Sequence, residues 1–299
     1  MKIGSLIITY NPDNCIVEKV ENLLNQCDHI LIIDNCSRDK KKIKLINERF
    51  DSKQVFIIEN KKNIGLSKAL NQGVNYFFEK DFKYCLLLDQ DSRLSKNFLP
   101  ILLSTAATKE EVAIVSPLII STLIEGPEFS VFVKKLNNYF FKKIKILDGE
   151  IKEVGLNITS GSLINIGIWN KIGRFREDLF IEGIDDEYCL KVIKNDLKII
   201  VNGNAKLYQQ YGNMKTNNKK KLWNPTNHAS YRYRYLFRNK ILIMKTCNVK
   251  CIYYLLFQTM SLLKKIMTIT LFEKNKLKNI VAIFKGIIDG IMGKSGEII

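Results

Sequence analysis

An apolar run that ends in two carboxylates one residue apart lies near residue 90. Residues 84–88 are apolar, and Asp89-Gln90-Asp91-Ser92 follows them directly. A run of this kind before a polar turn is typical of a strand buried on both faces of a parallel sheet. Open α/β sheets bind ligands at the carboxyl ends of their strands, so two acids there can share one divalent cation. A solvated turn that caps the next helix is the alternative interpretation of this pair alone.

Three similar runs precede this one, and helix-like segments separate them. The strand-like runs are residues 3–9, 29–33 and 55–59, and the helical segments are residues 15–26, residues 40–50 and a segment that opens at Asn63. Strand and helix thus alternate four times within about ninety residues, which predicts a parallel sheet with right-handed crossovers. The predicted fold class is α/β, with a mainly parallel central sheet of the nucleotide-binding type.

Polar residues also follow the first two strands, as Thr9-Tyr10-Asn11 and as Asp34. Neighbouring parallel strands end at the same sheet edge, where backbone amides and one carboxylate can hold a base and a ribose. Each feature alone is also an ordinary turn. The chain has no G-x-G-x-x-G and no Walker-type loop, which argues against a dehydrogenase and a P-loop enzyme.

A second acidic cluster lies in residues 180–190 and runs into a predicted helix. Asp185 and Glu187 are two residues apart and cannot share a helix face. Acids at this position also suit the start of a helix, which is the alternative interpretation. Upstream, residues 159–164 predict a small-residue strand that a ligand can approach. Asp148-Gly149-Glu150 predicts a hairpin turn between residues 143–147 and 151–154.

The net charge of +17 is concentrated at one end of the chain. Residues 206–299 contain 18 Lys and Arg against three Asp and Glu, which gives +15. Such a basic, aromatic-rich segment suits an anionic membrane surface or a nucleic acid. It predicts amphipathic helices that lie in the plane of a membrane interface. Packing of the same apolar faces on the rest of the chain, or on a second subunit in a homo-oligomer, is the alternative.

The seven cysteines include no C-x-x-C pair, so we expect reduced thiols rather than a zinc site or disulfide framework. The first residues lack a signal-peptide layout. No segment reaches about 18 uninterrupted apolar residues, because Lys264-Lys265 interrupts residues 251–271. These features predict a cytoplasmic protein that associates peripherally with the inner face of the cell membrane.

Four blocks, in order, resemble the inverting family 2 glycosyltransferases of GT-A fold. They are Thr9-Tyr10-Asn11, Ile33-Asp34-Asn35-Cys36-Ser37, Asn63-x-Gly65-x-x-x-Ala69-x-Asn71-x-Gly73 and Leu88-Asp89-Gln90-Asp91-Ser92. Residues 171–182 resemble the segment that precedes the catalytic acid in this family. Asp-Gln-Asp-Ser and the motif at residues 231–239, Tyr-Arg-Tyr-Arg-Tyr-Leu-Phe-Arg-Asn, resemble the bacterial rhamnosyltransferase branch.

The resemblance runs from Ile3 to about Lys245 and implies a domain plan. Residues 1–227 would form a GT-A catalytic domain, with a nucleotide-binding half over 1–92 and an acceptor and catalytic-base half over 93–227. Residues 228–299 would form a basic, amphipathic helical C-terminal region.

The resemblance also implies site residues. Asp185 matches the general base, and Asp91 with Asp89 matches the ligands of a Mg²⁺ or Mn²⁺ ion. Asp34 would accept a hydrogen bond from the N3–H of a pyrimidine. The implied nucleotide-binding residues are Thr9, Tyr10, Asn11, Asp34, Asn63, Gly65, Asp89 and Gln90. Candidate acceptor or diphosphate contacts are Gly161, Trp169, Glu187 and His228.

Two positions depart from the family pattern. Lys191 stands where the family usually has Arg. Tyr208-Gln209-Gln210-Tyr211-Gly212 occupies a region where the family commonly has a His, and His228 is the only His downstream.

The implied activity is inverting transfer of L-rhamnose from dTDP-L-rhamnose to a saccharide or lipid-linked saccharide acceptor, in surface polysaccharide, O-antigen or capsule biosynthesis. An in-line displacement needs charge neutralisation on the leaving nucleoside diphosphate and a base for the acceptor hydroxyl. Two alternatives remain open. One is the same fold with a UDP-hexose donor, and the other is a non-catalytic protein whose basic tail binds lipid or nucleic acid. With the transferase interpretation we expect no nucleic acid partner.

Overall fold

The computed structural model describes residues 1–13, 15–121, 131–134, 140–209, 225–246 and 252–298. The strands are β1 (Ile3–Thr9), β2 (His29–Asp34), β3 (Val55–Glu59), β4 (Tyr84–Asp89), β5 (Arg93–Leu94), β6 (Val112–Ser121), β7 (Val131–Lys134), β8 (Phe140–Lys143), β9 (Ile151–Val154), β10 (Leu163–Asn165) and β11 (Lys198–Gln209). The helices are α1 (Cys15–Leu24), α2 (Lys41–Arg49), α3 (Leu66–Glu79), α4 (Phe98–Ala106), α5 (Ile166–Ile172), α6 (Ile184–Lys194), α7 (Ser230–Thr246), α8 (Ile252–Phe272) and α9 (Lys276–Ile291).

A nine-stranded sheet forms the centre of the molecule. Its order is β3-β2-β1-β4-β10-β6-β11-β5, and β9 also pairs with β11. The first four strands in this order are parallel to one another. The short β10 lies antiparallel between β4 and β6, and β11 runs parallel to β6. Six of the nine strands therefore point the same way, which confirms the predicted α/β class with a mainly parallel sheet.

Alternation along the strands produces two hydrophobic layers. Leu6 and Leu31 pack with Phe77 of α3 in one layer. Their neighbours Ile7 and Ile32 pack in the other, with apolar residues of α1, α2 and α4. Side chains of a strand point alternately to the two faces of the sheet. Since both faces are buried here, successive residues of each strand have to be apolar.

The predicted hairpin around Asp148 is wrong, although the turn exists. Residues 148–149 form the turn, but Ile151–Val154 pairs antiparallel with β11. The segment expected to pair with it contains no strand at residues 144–147, and β8 pairs with β7 in a separate two-stranded sheet. The twelve-residue β11 pairs with β9 along one part and with β5 along another. β9 therefore pairs with the distant β11 and not with the neighbouring residues 143–147.

The C-terminal helices pack closely on one another. A Cβ atom at Gly286 of α9 would lie 2.3 Å from the carbonyl oxygen of Arg234 in α7, so the two backbones are nearly in contact. Within the described ranges, one helical segment, Tyr254–Phe272, has the length and composition to cross a membrane. The expectation of no such segment counted uninterrupted apolar residues, whereas a mean hydropathy tolerates Lys264 and Lys265.

Candidate active site

The carboxyl ends of β1, β2 and β4 meet at one edge of the sheet. In register, Thr9 lies beside Asp34, and Ile8 lies beside Asp89. The amide nitrogen of Tyr10 donates to Oε1 of Gln90 at 2.8 Å, which ties the end of β1 to the residue after β4. Buried parallel strands bring these polar residues together because they all end at this edge.

Asp89 lies at the end of β4, and Asp91 lies two residues further, exposed to solvent. Nε2 of Gln209 donates to Oδ2 of Asp89 at 2.9 Å. Burial raises the pKa of Asp89, and the nearby charge of Asp91 raises it further. A cation placed between the two carboxylates would relieve both effects.

Asp89 and Asp91 fit a divalent cation whose coordination shell is completed by a ligand. Across the described part of the chain, no group of three or more His, Cys, Asp or Glu side chains converges as a closed metal site would require. Mg²⁺ in nucleotide enzymes is usually held by one or two carboxylates, with substrate phosphates and water filling the other positions. Two acids at the carboxyl edge of the sheet match that arrangement.

Asp185 is the second residue of α6, and its carboxylate is held by a backbone group from another loop. The amide of Thr159 donates to Oδ1 of Asp185 at 3.2 Å. Burial raises the pKa of Asp185 to about 7, and the charges of Asp186 and Asp89 contribute in the same direction. A carboxylate with a pKa near neutrality is well matched to general-base work.

The adjacent Asp186 has a different environment. It forms an ion pair with Nζ of Lys240 in α7, and Nε2 of Gln258 in α8 donates to the same oxygen at 3.3 Å. Its charge is therefore compensated by α7. Of the two neighbouring acids, Asp185 is the better candidate base, because Asp186 is already paired with Lys240.

A single turn connects the two acidic regions. Thr159 donates to Asp185, and the hydroxyl of the next residue, Ser160, accepts from the amide of Asp89 at 3.3 Å. The amide of Gly161 donates to the carbonyl of Leu87 in β4 at 2.7 Å. Asp89 and Asp185 thus lie on either side of one turn, close enough for the charge of Asp89 to raise the pKa of Asp185.

Residues 6–154 match the family model described as "Glycosyl transferase family 2". The chain contains a glycosyltransferase family 2 domain. Over 296 residues it is 25% identical to "dTDP-rhamnosyl transferase RfbF" of Shigella flexneri, a match that covers 98% of this chain and 97% of the relative. This similarity supports the bacterial rhamnosyltransferase branch.

Solved structures share the fold of this glycosyltransferase. GalNAc-T7 with UDP, GalNAc and Mn²⁺ superposes with a TM-score of 0.61 and 13% identity, over 82% of this chain and 48% of that one. The mannosyltransferase PcManGT from Pyrobaculum calidifontis, in complex with GDP-Man and Mn²⁺, superposes with a TM-score of 0.58 and 11% identity, over 98% and 88%. At these identities the likeness shows the GT-A fold alone.

In this glycosyltransferase the Asp34 carboxylate is saturated by protein contacts. Asp34 is fully buried and accepts from the Thr9 hydroxyl at 3.1 Å, from the amide and hydroxyl of Ser37, and from Nζ of Lys40. Burial acts to raise its pKa, but the hydrogen bonds from Lys40 and Ser37 outweigh burial and lower it. The nucleobase of a donor would reach the Asp34 carboxylate only after Lys40 moved aside.

Asn11 and Asn63 form hydrogen bonds between and within the loops of the edge, and Gly65 packs against Phe180. Oδ1 of Asn11 accepts from the amide of Arg38 at 2.8 Å. Oδ1 of Asn63 accepts from the amide of Gly65 at 2.9 Å. Gly65 has φ +85°, and a Cβ there would lie 2.6 Å from the ring of Phe180. These residues frame the edge, and Gly65 is required by the close approach of Phe180.

The candidate acceptor residues are not brought together. The prediction that Trp169 contacts an acceptor is wrong, because its side chain is completely buried in the core. Glu187 is also buried and pairs with Lys191 at 3.2 Å. His228 precedes α7, where burial lowers its pKa. At Gly161 a Cβ would lie 2.9 Å from Leu207 and Pro117, so packing explains the glycine.

Sequence reasoning did not identify Lys19, which lies beneath the acidic turn. Lys19 is 5% exposed, and its Nζ donates to the carbonyl of Asp89 and to the hydroxyl of Ser92. Burial lowers its pKa to about 8, although the charges of Asp91 and Asp89 oppose that shift. The signal was present in α1, because Lys19 follows Ile16 by three residues and so shares its inward face.

Proposed function

We propose that this glycosyltransferase transfers L-rhamnose, with inversion, from dTDP-L-rhamnose to a saccharide or lipid-linked saccharide acceptor in surface polysaccharide assembly. The observation that carries the proposal is the Thr159–Ser160 turn, which bonds Asp185 on one side and Asp89 on the other. A partly buried carboxylate with a pKa of about 7 therefore lies beside the acidic pair suited to a metal-bound diphosphate. The rhamnosyl donor is supported by the similarity to the Shigella relative.

In this mechanism the oxygen of the acceptor hydroxyl bonds to the anomeric carbon of the donor, and Asp185 accepts the proton that this hydroxyl loses. The bond between that carbon and the diphosphate oxygen breaks, and the nucleoside diphosphate leaves with the electron pair. Such base catalysis is typically worth about 10²–10⁴-fold. Attack opposite to the leaving group inverts the anomeric configuration.

Asp89 and Asp91 would hold Mg²⁺ or Mn²⁺ at the other side of the turn. When bound, the ion would neutralise charge on the diphosphate. Both structural neighbours described above were solved with Mn²⁺, which supports this assignment. Gln209 keeps the Asp89 carboxylate oriented through its hydrogen bond.

Calorimetric titration of the full chain with nucleotide sugars in Mn²⁺ tests the donor. We expect dTDP-L-rhamnose to bind more tightly than UDP-glucose, UDP-galactose or GDP-mannose, and binding to be lost in EDTA. A preference for a UDP-hexose would support the alternative donor. Failure of every nucleotide sugar to bind would contradict the transferase proposal and favour a non-catalytic binding protein.

We also propose that α8 and α9 hold the enzyme on the inner face of the cell membrane, near a lipid-linked acceptor. Both helices expose apolar side chains at heptad-like spacing. These are Leu256, Met260, Leu263, Met267 and Leu271 of α8, and Leu277, Val281, Phe284, Ile288 and Ile291 of α9. Each is more than half exposed, and surfaces of this kind on soluble proteins usually mark an interaction site.

The charges beside these stripes favour an anionic lipid surface as the partner. Lys264, Lys278 and Lys285 are exposed next to the apolar stripes. The two acids between Ile252 and Ile291, Glu273 and Asp289, are buried and paired with Lys265 and Arg234. A second copy docked on the same face would bring lysines against lysines, whereas anionic lipid would complement them.

Co-sedimentation with vesicles tests this membrane face. We expect binding to phosphatidylglycerol vesicles that falls with added salt, weak binding to phosphatidylcholine, and loss of binding in Leu263→Gln/Phe284→Gln. The control is Leu147→Gln/Ile151→Gln, which changes exposed apolar residues of the body. Light scattering that shows a salt-stable dimer through this face, without vesicle binding, would contradict the proposal.

A further inference from the structure

The loop that leads into the helix of Asp185 has an unusual backbone. Phe180, Glu182 and Gly183 have φ angles of 64°, 67° and 76°, and α6 begins at Ile184. Left-handed conformations at non-glycine residues cost about 1–3 kcal/mol each and persist only where the surroundings hold them. The direction in which Asp185 leaves this loop therefore depends on whatever holds residues 179–183.

The side chain of Asn239 in α7 holds three carbonyls of this loop. The two N–H groups of its Nδ2 are shared among the carbonyls of Leu179, Ile181 and Glu182, which lie 2.8, 2.6 and 2.8 Å from the nitrogen. Asn239 is completely buried, so water cannot replace these bonds. One amide group thus fixes the path of the chain on both sides of Phe180.

Arg238 fixes the orientation of that amide. Its Nε donates to Oδ1 of Asn239 at 2.7 Å, which leaves Nδ2 pointing at the loop. Its Nη2 donates to the carbonyl of Leu179 at 3.0 Å, and its Nη1 donates to the carbonyl of Gly296 at 2.7 Å. Arg238 is also completely buried.

The opposite side of the loop is held by the nucleotide-binding half. The carbonyl of Phe180 accepts from the amide of Leu66 at 2.7 Å, at the start of α3. The Phe180 ring stacks on Tyr235 of α7, with centroids 5.4 Å apart. Residues 179–183 are therefore clamped between α3 and α7.

We propose that Arg238 and Asn239 are positioning residues that aim Asp185 at the acceptor hydroxyl. This proposal rests on the proposed function, in which Asp185 is the base. Neither side chain touches the reacting groups. They hold residues 179–182 so that α6 begins where the carboxylate of Asp185 meets the amide of Thr159. This positioning role also assigns a function to Arg238 and Asn239, the last two residues of the motif at residues 231–239.

The matched control for Asn239 is Asn279 of α9. Asn279 is 2% exposed and bonds to Ser230, Glu273 and Lys274, so it stabilises the C-terminal helices without touching the loop. Both alanine variants remove a buried, hydrogen-bonded amide, and both should lower the melting temperature. Only Asn239→Ala should change the orientation of the Asp185 carboxylate.

We expect Asn239→Ala to lower kcat by about 10- to 100-fold, the range set by a small misplacement of a catalytic group. The Kd for the donor with Mn²⁺ should stay within about threefold of wild type, because Asp89 is held by Gln209, Ser160 and Lys19 rather than by the 179–183 loop. Asn279→Ala should keep kcat within about threefold. Equal kcat losses in the two variants would overturn the proposal.

Two further measurements cover other outcomes. If Asn239→Ala does not fold, Arg238→Lys keeps the charge but loses the fork that orients Asn239, and an unchanged kcat in that variant overturns the proposal. If the wild type transfers no sugar, the proposed function fails on its own. Amide exchange still tests the clamp then, since residues 179–185 should exchange faster in the Asn239 variant and not in Asn279→Ala.

Discussion

In the proposed mechanism, catalysis and stability make opposite demands on the Asp185 carboxylate. Asp185→Asn keeps the shape of the side chain but cannot accept the hydroxyl proton. We expect turnover to fall by about 10²–10⁴-fold, with the Kd for the nucleotide sugar nearly unchanged. Initial rates and calorimetry measure the two quantities. Asp186→Asn is the paired variant, and a larger loss of turnover there than at Asp185 would reverse the assignment of the base.

The pH dependence of turnover follows from the raised pKa of Asp185, about 7. The base works only when deprotonated, so kcat should fall as pH drops through about 7. Stability changes in the other direction. The pKa of Asp185 is higher in the folded state than in the unfolded state. The free energy of unfolding therefore falls as pH rises from about 4, where the unfolded chain ionises, to about 7, where the folded chain does. Above pH 7, Asp185→Asn should therefore melt higher than wild type, and a lower melting temperature would contradict the assigned burial.

Single residues also show why the sequence predicted the edge of the sheet but not its partners. Thr9, Asp34 and Asp89 follow apolar runs, and parallel strands end together, so their convergence was predictable. Gln209 is 120 positions from Asp89 and Asn239 is 60 from Leu179. No local periodicity encodes which amide meets which carbonyl across such separations. The burial of Trp169 was missed because the sequence did not reveal that its helix faces the core.

At the scale of elements, the predicted strands agreed with the structure wherever a run was apolar and β-branched. β1 and β3 have the predicted bounds, Ile3–Thr9 and Val55–Glu59. The strand predicted at residues 159–164 is confirmed only in part, because β10 spans Leu163–Asn165 and residues 159–161 form a turn. Its antiparallel place between β4 and β6 is set by pairing with distant strands. The misassigned partner of β9 has the same cause.

The close approach of α7 and α9 gives a prediction at this scale. At Gly286 a Cβ would lie 2.3 Å from the Arg234 carbonyl oxygen, so Gly286→Ala should force the helices apart. Overpacking typically costs about 1–3 kcal/mol, against a helix-propensity gain of up to about 1 kcal/mol. Urea unfolding measures the net loss. Gly167→Ala, at an exposed position of α5, is the matched control and should be neutral or stabilising.

Across the whole molecule, the basic C-terminal segment is joined to the catalytic body by buried polar contacts. Lys240 of α7 pairs with Asp186, Arg238 and Asn239 bond residues 179–182, and the amide of Gly296 donates to the carbonyl of Asp178. Separating α7 from the body would leave these buried groups without partners, at about 1–3 kcal/mol for each.

We therefore expect residues 1–227 and 228–299 to unfold together. Calorimetry should show one transition whose calorimetric and van't Hoff enthalpies agree. Amide exchange in α7 should be as slow as in β1 and β4, because elements of one cooperative unit open with the same free energy. Gly286→Ala should then shift the whole transition rather than split it. A separate early transition confined to α7–α9 would instead show that the C-terminal region is an independent unit that docks on a self-sufficient catalytic domain.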